Sequence, residues 1–297
     1  MPRQSDPSEL VVRQRLCALT RSLPAAEKGN PARLHEARVA TRRLREAVLL
    51  MAHGPRARRL ERNIRRLTRA LGPVRELDVA LQTLDEVGTG AAVPAAAIRA
   101  LKQAIRDERQ RLRVEMRRRI DAVDVEKLRR RAIVTVRKHR HRPGVAKGLR
   151  KARLRMATRA ARLQTAIENA AGLYLPDRLH HVRVAIKKLR YAREVLNQLT
   201  GSRATVHLRS LKTAQDLLGH MHDLEVLIMR VRALQASTGA PSLQMSAGLD
   251  QLVRRLESDC RELHGGYIAM RKKLVGICER TVNAPVRRRQ ARSSSAA

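Results

Sequence analysis

One line of the sequence occurs twice. It reads LHEARVATRRLR from Leu34 to Arg45 and LHHVRVAIKKLR from Leu179 to Arg190. On a helix that advances about 100° per residue, each copy places apolar residues on one side and basic residues on the adjacent side. The repetition predicts a chain made of two similar helical halves, with this helix at the centre of each half.

The basic side of each copy contains no acidic residue. Its members are His35, Arg38, Arg42 and Arg45 in the first copy and His180, Arg183, Lys187 and Arg190 in the second. A helix with an apolar stripe and an adjacent basic stripe is suited to pack on one side and to hold an anion on the other. We refer to these two sets as the basic stripes.

The charge of the whole chain agrees with an anionic partner. The sequence contains 64 lysines and arginines against 27 aspartates and glutamates, so its formal net charge is +37 at pH 7. A chain with this excess repels itself, and a polyanionic partner is therefore expected. The alternative is a basic but solvated surface.

The apolar residues indicate an all-α fold. There is no Phe or Trp, so the core must consist of Leu, Val, Ile, Met and Ala, and no short segment alternates as a strand would. The three cysteines, Cys17, Cys260 and Cys278, lie far apart and favour a reducing compartment. The chain begins without an apolar signal segment and has no run long enough to cross a membrane, so a cytoplasmic protein is expected.

Proline and glycine divide the sequence into helices and halves. Asn30 before Pro31 predicts an N-cap for the first signature helix, and Asp177 predicts one for the second. Gly72-Pro73 predicts a helix break, and Gly219 predicts a break between helices 202–218 and 221–237. The predicted units are an N-terminal half (8–142), a C-terminal half (143–282) and a disordered basic tail (283–297).

A second motif is also duplicated. LGPVRELDV, which begins at Leu71, corresponds to LGHMHDLEV, which begins at Leu218. The basic pair upstream of each copy also corresponds: Arg62 and Arg65 in the first half, Arg209 and Lys212 in the second. A basic pair present in both halves is harder to attribute to random surface charge. The second copy departs from the first in having His222 for Arg75 and Glu225 for Asp78.

Two duplicated motifs in the same order resemble the CHAD family, the conserved histidine α-helical domain. The resemblance rests on HxxRVxxRRLR and LGxxRELDV with their second copies, and it covers residues 8–281. It implies two helical bundles related by a pseudo-twofold axis, whose basic faces meet at a central channel that binds inorganic polyphosphate. Some relatives also carry a triphosphatase-like domain with a Glu-x-Glu-x-Lys strand. This sequence has no such pattern, so that activity is not expected here.

Polyphosphate is a flexible polyanion without bases, so its receptor needs closely spaced cationic donors, and arginine adds a planar fork that matches phosphate oxygens. The expected binding residues are His35, Arg38, Arg42, Arg43, Arg45, Arg62, Arg65, His180, Arg183, Lys187, Lys188, Arg190, Arg209 and Lys212. Arg43 and Lys188 are second choices because they lie about 80° from the histidine, on its other side. The two histidines of the stripes either donate to phosphate or brace a neighbouring helix.

The other titratable residues do not indicate an enzyme. The histidine pairs are His139/His141, His180/His181 and His220/His222, and no Cys, Asp or Glu completes a metal site with any of them. The carboxylate pairs Glu76/Asp78 and Asp223/Glu225 stand near a helix start, where a structural role is favoured over catalysis. We find no P-loop, nucleophile elbow or HExxH motif. A protein without catalysis, cofactor or metal is therefore expected.

The sequence leaves two alternative functions open. A general nucleic-acid binder would contact duplex DNA through phosphates, in part with the basic tail, whereas single strands are disfavoured because aromatic residues for stacking are nearly absent. The other is an enzyme that makes or cleaves polyphosphate. The sequence does not decide between polyphosphate granules and the nucleoid as the cytoplasmic location, and it leaves the oligomeric state open.

Overall fold

The computed structural model describes residues 7–52, 54–88, 94–140, 145–202, 205–237 and 242–284. In these ranges the chain forms ten α-helices and no strand, which confirms the all-α fold class. The helices are α1 (Pro7–Glu27), α2 (Pro31–Met51), α3 (Pro55–Ala70), α4 (Gly72–Val87), α5 (Ala95–Asp121), α6 (Val125–Arg140), α7 (Val145–Ala170), α8 (Pro176–Thr200), α9 (Val206–Gln235) and α10 (Leu243–Val282).

The two signature helices, α2 and α8, begin differently. The Asn30 side chain accepts a hydrogen bond from the Arg33 amide at 3.0 Å, which confirms the predicted N-cap of α2. The prediction for Asp177 is wrong, because Leu175 occupies the N-cap position of α8 and no side chain caps it. Pro176 takes the first helical position, so Asp177 lies inside the first turn, where its carboxylate interacts favourably with the helix dipole.

Helix α9 runs through Gly219 without interruption, so the predicted break at this residue is wrong. In the first half, α3 and α4 are separate helices that meet at Leu71 and Gly72, directly before Pro73. Proline lacks the backbone N–H that a continuous helix needs and its ring clashes with the preceding turn. The second half has His220 at the matching position, and glycine alone costs a helix only about 1 kcal/mol.

The apolar stripes of the signature helices are buried as predicted. Leu34, Leu44, Val182 and Ile186 have no exposed surface, and they belong to one hydrophobic cluster that extends through both halves. Arg193, which closes the second stripe, is half-buried and donates to the Thr281 hydroxyl at 3.3 Å. Burial of these aliphatic side chains fixes the rotation of α2 and α8 and therefore the direction of their basic stripes.

The predicted halves meet through several helix pairs, among them the two signature helices and α5 with α10. Helix α2 packs against α1 and α3 in its own half and also against α8, while α4 of the first half packs against α9 of the second. The residues at the predicted junction, 142–144, the tail from residue 285 onward and the side chains of His139 and His141 lie outside the described residues. The predicted limits of the two halves stay predictions.

Candidate anion-binding site

A cavity of about 960 Å³ lies between the two halves. We call it the first cavity. Its walls come from α1, α2 and α4 of the first half and from α8 and α9 of the second. Both basic stripes contribute to it, so the stripes point toward one shared space instead of toward opposite surfaces.

A second cavity, of about 370 Å³, lies next to the first. Arg38, Arg42 and Lys187 line both cavities and therefore form a cationic wall common to the two. The second cavity adds Arg45 and Lys188, and it adds Arg69 from the end of α3.

Ten of the predicted binding residues line a cavity. The first cavity contains His35, Arg38, Arg42, Arg43, Arg183, Lys187, Arg190 and Lys212, and the second adds Arg45 and Lys188. His180 lines neither cavity, but its ring lies 4.8 Å from that of His222, which lines the first cavity. Arg62, Arg65 and Arg209 line neither cavity and are exposed on α3 and α9. Their part in binding stays a prediction.

Arg38 is anchored at the wall by the first half. Its guanidinium donates to the carbonyl oxygen of Thr68 at 3.0 Å and lies 3.8 Å from the carboxylate of Glu76. Burial, together with the charge of Arg42, lowers the pKa of Arg38 to about 10. The side chain therefore keeps its charge at neutral pH, at a position where a second positive group is already present.

Lys187 is the most strongly perturbed cation of the wall. Burial lowers its pKa to about 6, and the charges of Arg183, Arg42 and Arg38 act in the same direction. The amine is therefore mostly neutral at pH 7 in the unliganded protein. An anion placed at the wall would restore the charge, because an adjacent negative group favours the protonated form.

The middle and the ends of the stripes differ in their acidic partners. At one end, Glu194 lies 3.2 Å from Arg43 and 2.6 Å from Arg190, and it offsets part of the charge of both. In the middle, no carboxylate of the described residues lies within 4.0 Å of Arg42, Arg183 or Lys187. The Nε of Arg183 is also buried without a hydrogen-bond partner among the described residues. The central cations are thus available to an external anion.

Both stripe histidines have depressed pKa values. Partial burial, followed by the charges of Arg75 and Arg42, lowers the pKa of His35. Burial, followed by the interaction with His222 and with Arg183, lowers that of His180. Both imidazoles are therefore neutral at neutral pH, and each can gain a proton when an anion offsets the surrounding charge.

Two carboxylates of the second motif connect neighbouring elements. Asp78 is buried and accepts from the Nε of Arg109 at 2.6 Å, while the same guanidinium donates to the Gly29 carbonyl oxygen at 2.8 Å. In the second half, Glu225 accepts from the Tyr174 hydroxyl at 3.0 Å. These contacts agree with the predicted structural role of Asp78 and Glu225.

Several cavity residues are absent from the predicted set. They are Arg15, Arg21, Arg33, Arg75, His220 and His222. Arg75 and His222 occupy matching places in the duplicated second motif, and this correspondence is the sequence signal that identifies them as candidates. Arg15 and Arg21 belong to α1, which carries neither motif, and only the packing of α1 on α2 brings them to the cavity.

Among the described residues, no group of three or more His, Cys, Asp or Glu side chains is placed to hold a metal ion. None of the described helices is long and apolar enough to cross a membrane.

The fold and the site define an all-α protein with a basic cavity between two signature helices. A family model for the CHAD domain matches residues 10–232, and the chain belongs to this family. Its fold is similar to the crystal structure of the CHAD domain from the plant Ricinus communis, with a TM-score of 0.68 and 21% identity over 90% of each chain. No curated protein sequence matches the chain.

Proposed function

We propose that the protein binds inorganic polyphosphate in the two cavities between α2 and α8, and that it neither makes nor cleaves this polymer. The observation that carries the proposal is the convergence of Arg42, Arg183 and Lys187 from both halves on one space, where no carboxylate of the described residues lies within 4.0 Å of them. CHAD domains are known generally as polyphosphate-binding domains, which supports the same ligand.

The arrangement of the cavities favours a linear polyanion over a single phosphate. Because Arg38, Arg42 and Lys187 line both cavities, an extended chain can occupy the two cavities as one channel and contact these side chains in passing. Guanidinium groups provide several fixed N–H donors that match phosphate oxygens. Polyphosphate presents such oxygens on every unit and requires no aromatic residue for base stacking.

Binding without catalysis is supported by the surroundings of the cavity carboxylates. Glu76 lies 3.8 Å from Arg38, and Asp223 is half-buried near the positive charge of Arg183. Enzymes that transfer phosphoryl groups commonly use carboxylates to hold Mg²⁺, and a nearby guanidinium opposes the binding of such a cation. Incubation of the protein with polyphosphate and a divalent metal should leave the chain length and the free phosphate concentration unchanged. Measurable shortening of the polyphosphate would show that the protein is an enzyme.

We propose that the protein acts in the cytoplasm, where polyphosphate granules and the nucleoid are the two candidate locations. The tail is proposed as a secondary contact for nucleic acid. A chain that ends before Asn283 should therefore lose more affinity for duplex DNA than for polyphosphate.

The decisive experiment is a binding assay with labelled polyphosphate. Arg42→Gln combined with Arg183→Gln should strongly reduce affinity, whereas Arg254→Gln combined with Arg261→Gln removes the same charge from exposed positions of α10 and should have little effect. Equal affinity of the two double variants would refute the site.

Competition with DNA tests the choice of ligand. Long duplex DNA at equal phosphate concentration and moderate salt should fail to displace the labelled polyphosphate. If it displaces the polymer, the protein is a general binder of phosphate backbones.

A further inference from the structure

Helix α3 presents an unusually basic outer face. Its 16 residues include seven arginines and a single acidic residue, Glu61. All seven arginines are exposed, and none pairs with a carboxylate of the described residues. The like charges of this face repel each other and are only partly screened by salt. Binding of an anion would relieve this repulsion.

Four of these arginines form a row along one side of the helix. On a helix, Arg58, Arg62, Arg65 and Arg69 fall within a sector of about 60°, and they extend over roughly 16 Å along the axis. Leu60, Ile64 and Leu67 on the opposite side are at most 2% exposed. Burial of that apolar side fixes the line of arginines toward the outside. We call these four residues the α3 stripe.

One end of the α3 stripe reaches the second cavity. Arg69 lines this cavity together with Arg42 and Lys187 of the common wall. The last turn of α3 is also held at the wall, because the Thr68 carbonyl oxygen accepts from Arg38 at 3.0 Å. The stripe therefore begins at the cavity and leads away from it along the surface.

The second half has no equivalent stripe. Thr205 and Asp216 stand at the positions that match Arg58 and Arg69. Lys212, which matches Arg65, is paired with Asp216 at 2.6 Å. A polymer that leaves the cavities thus meets a continuous row of free cations on the first half but not on the second.

We propose that the α3 stripe is an external track for the part of a long polyphosphate chain that extends beyond the second cavity. The protein then binds long chains more tightly than chains that fit inside the cavities. This inference rests on the proposed function and adds a preference for chain length to it. A linear polymer is favoured over duplex DNA because the track starts at a cavity lined by cations, into which a duplex does not extend.

The test compares tripolyphosphate with long-chain polyphosphate. The track variant is Arg58→Gln, Arg62→Gln and Arg65→Gln, which leaves Arg69 at the cavity unchanged. The control is Arg254→Gln, Arg261→Gln and Lys272→Gln, which removes the same charge from exposed positions of α10. Glutamine keeps good helix propensity, and circular dichroism should confirm equal helix content in all three proteins.

The track variant should lose affinity for the long chain by roughly tenfold and keep its affinity for tripolyphosphate, since only the long chain reaches the stripe. The slope of log K against log salt concentration should become less steep by about two units for the long chain, because three phosphate contacts are lost. The control should bind both ligands like the wild type.

Other results have distinct meanings. Unchanged affinity for the long chain, or an equal loss for both ligands, overturns the track. Loss of duplex DNA binding with full long-chain affinity also overturns it and assigns the α3 stripe to nucleic acid. A wild-type protein that binds neither polyphosphate removes the proposed function itself.

Discussion

The two halves carry the same basic stripe but hold it in different ways. In α2, Arg38 is hydrogen-bonded to the Thr68 carbonyl oxygen and keeps its charge at neutral pH. In α8, Arg183 has a buried Nε without a partner among the described residues, and the pKa of Lys187 falls to about 6. Arg38 therefore supplies fixed charge to the first cavity, whereas Arg183 and Lys187 are cations whose hydrogen bonding or charge is completed by the ligand.

The second motif shows a related difference. In the first half, Asp78 holds Arg109, which also reaches the turn at Gly29, so that one buried ion pair connects α4, α5 and the start of α2. In the second half, Glu225 accepts from the Tyr174 hydroxyl and lies 3.8 Å from the Nδ1 of His222. The same sequence pattern thus supports an ion pair with arginine in one half and a hydrogen bond from a tyrosine hydroxyl in the other.

The largest effect is expected in the first cavity, where the two basic stripes converge. Arg38→Glu combined with Arg183→Glu removes one central cation from each stripe and adds two negative charges. Loss of two charge-assisted contacts, each worth about 1.5–3 kcal/mol, should reduce polyphosphate affinity by roughly 100-fold or more. Isothermal titration calorimetry measures the loss, and circular dichroism should show intact helicity.

A charge-matched control accompanies this variant. Arg254→Glu combined with Arg261→Glu changes the net charge equally at exposed positions of α10 and should lower affinity only slightly. Unchanged affinity in the Arg38 and Arg183 variant would contradict the assignment of the first cavity as the binding site.

The next largest effect should appear in folding stability and should differ between the halves. Asp78→Asn leaves the half-buried Arg109 without its counter-ion and should lower the free energy of unfolding by about 3 kcal/mol. Glu225→Gln keeps an acceptor for Tyr174 and should cost about 1 kcal/mol or less. Urea unfolding of both variants checks this order, and equal losses would mean that the two turns are equivalent braces.

The sequence predicts those features that depend on local periodicity. Burial of Leu34 and Ile186 and the position of each basic stripe beside an apolar one follow from spacing along one helix, and the N-cap at Asn30 follows from the Asn-Pro pair. Features that depend on packing between helices are not accessible in this way. Arg15 reaches the cavity from α1, and Arg62 lies outside both cavities because the packing of α3 on α2 decides which surface its basic side faces.

The failed predictions have a common cause. The break at Gly219 and the cap at Asp177 are each predicted from a single residue, although the outcome depends on the residue next to it. Without a proline after it, Gly219 remains within α9, and Pro176 moves Asp177 into the first turn of α8. Residue pairs such as Gly72-Pro73 are therefore better predictors of helix ends than single residues.

The affinity for polyphosphate should depend on pH because of Lys187. Uptake of one proton on binding changes the affinity by up to about tenfold per pH unit. The charged groups around Lys187 are Arg38 and Arg42 from α2, Arg183 from α8 and Asp223 from α9. Because its pKa is about 6 without ligand and rises when an anion binds, binding takes up a proton above pH 6. Affinity should therefore fall as the pH rises, and Lys187→Arg should flatten this dependence.

Stability of the unliganded protein should change with pH in the opposite direction. Between pH 6 and the unfolded-state value of 10.5, the unfolded chain binds more protons at Lys187 than the folded protein does. This group therefore makes the fold more stable as the pH rises through that window. The reciprocal variant Arg42→Lys places a titratable group at the matching position of α2 and should add pH dependence to affinity. A flat affinity profile in the wild type would show that Lys187 does not meet the ligand.

The smallest effects are expected at the matching residues Arg43 and Lys188. Lys188 lies exposed at the second cavity, so Lys188→Gln should lower affinity by about threefold, as for an exposed ionic contact. Arg43 is already offset by Glu194 at 3.2 Å, and Arg43→Gln should cost less, because Glu194 then pairs with Arg190 alone. Titration of both variants with the same polyphosphate tests the order. If Arg43→Gln has the larger effect, the ligand displaces Glu194 from Arg43, and the end of the stripe belongs to the binding surface as fully as its centre.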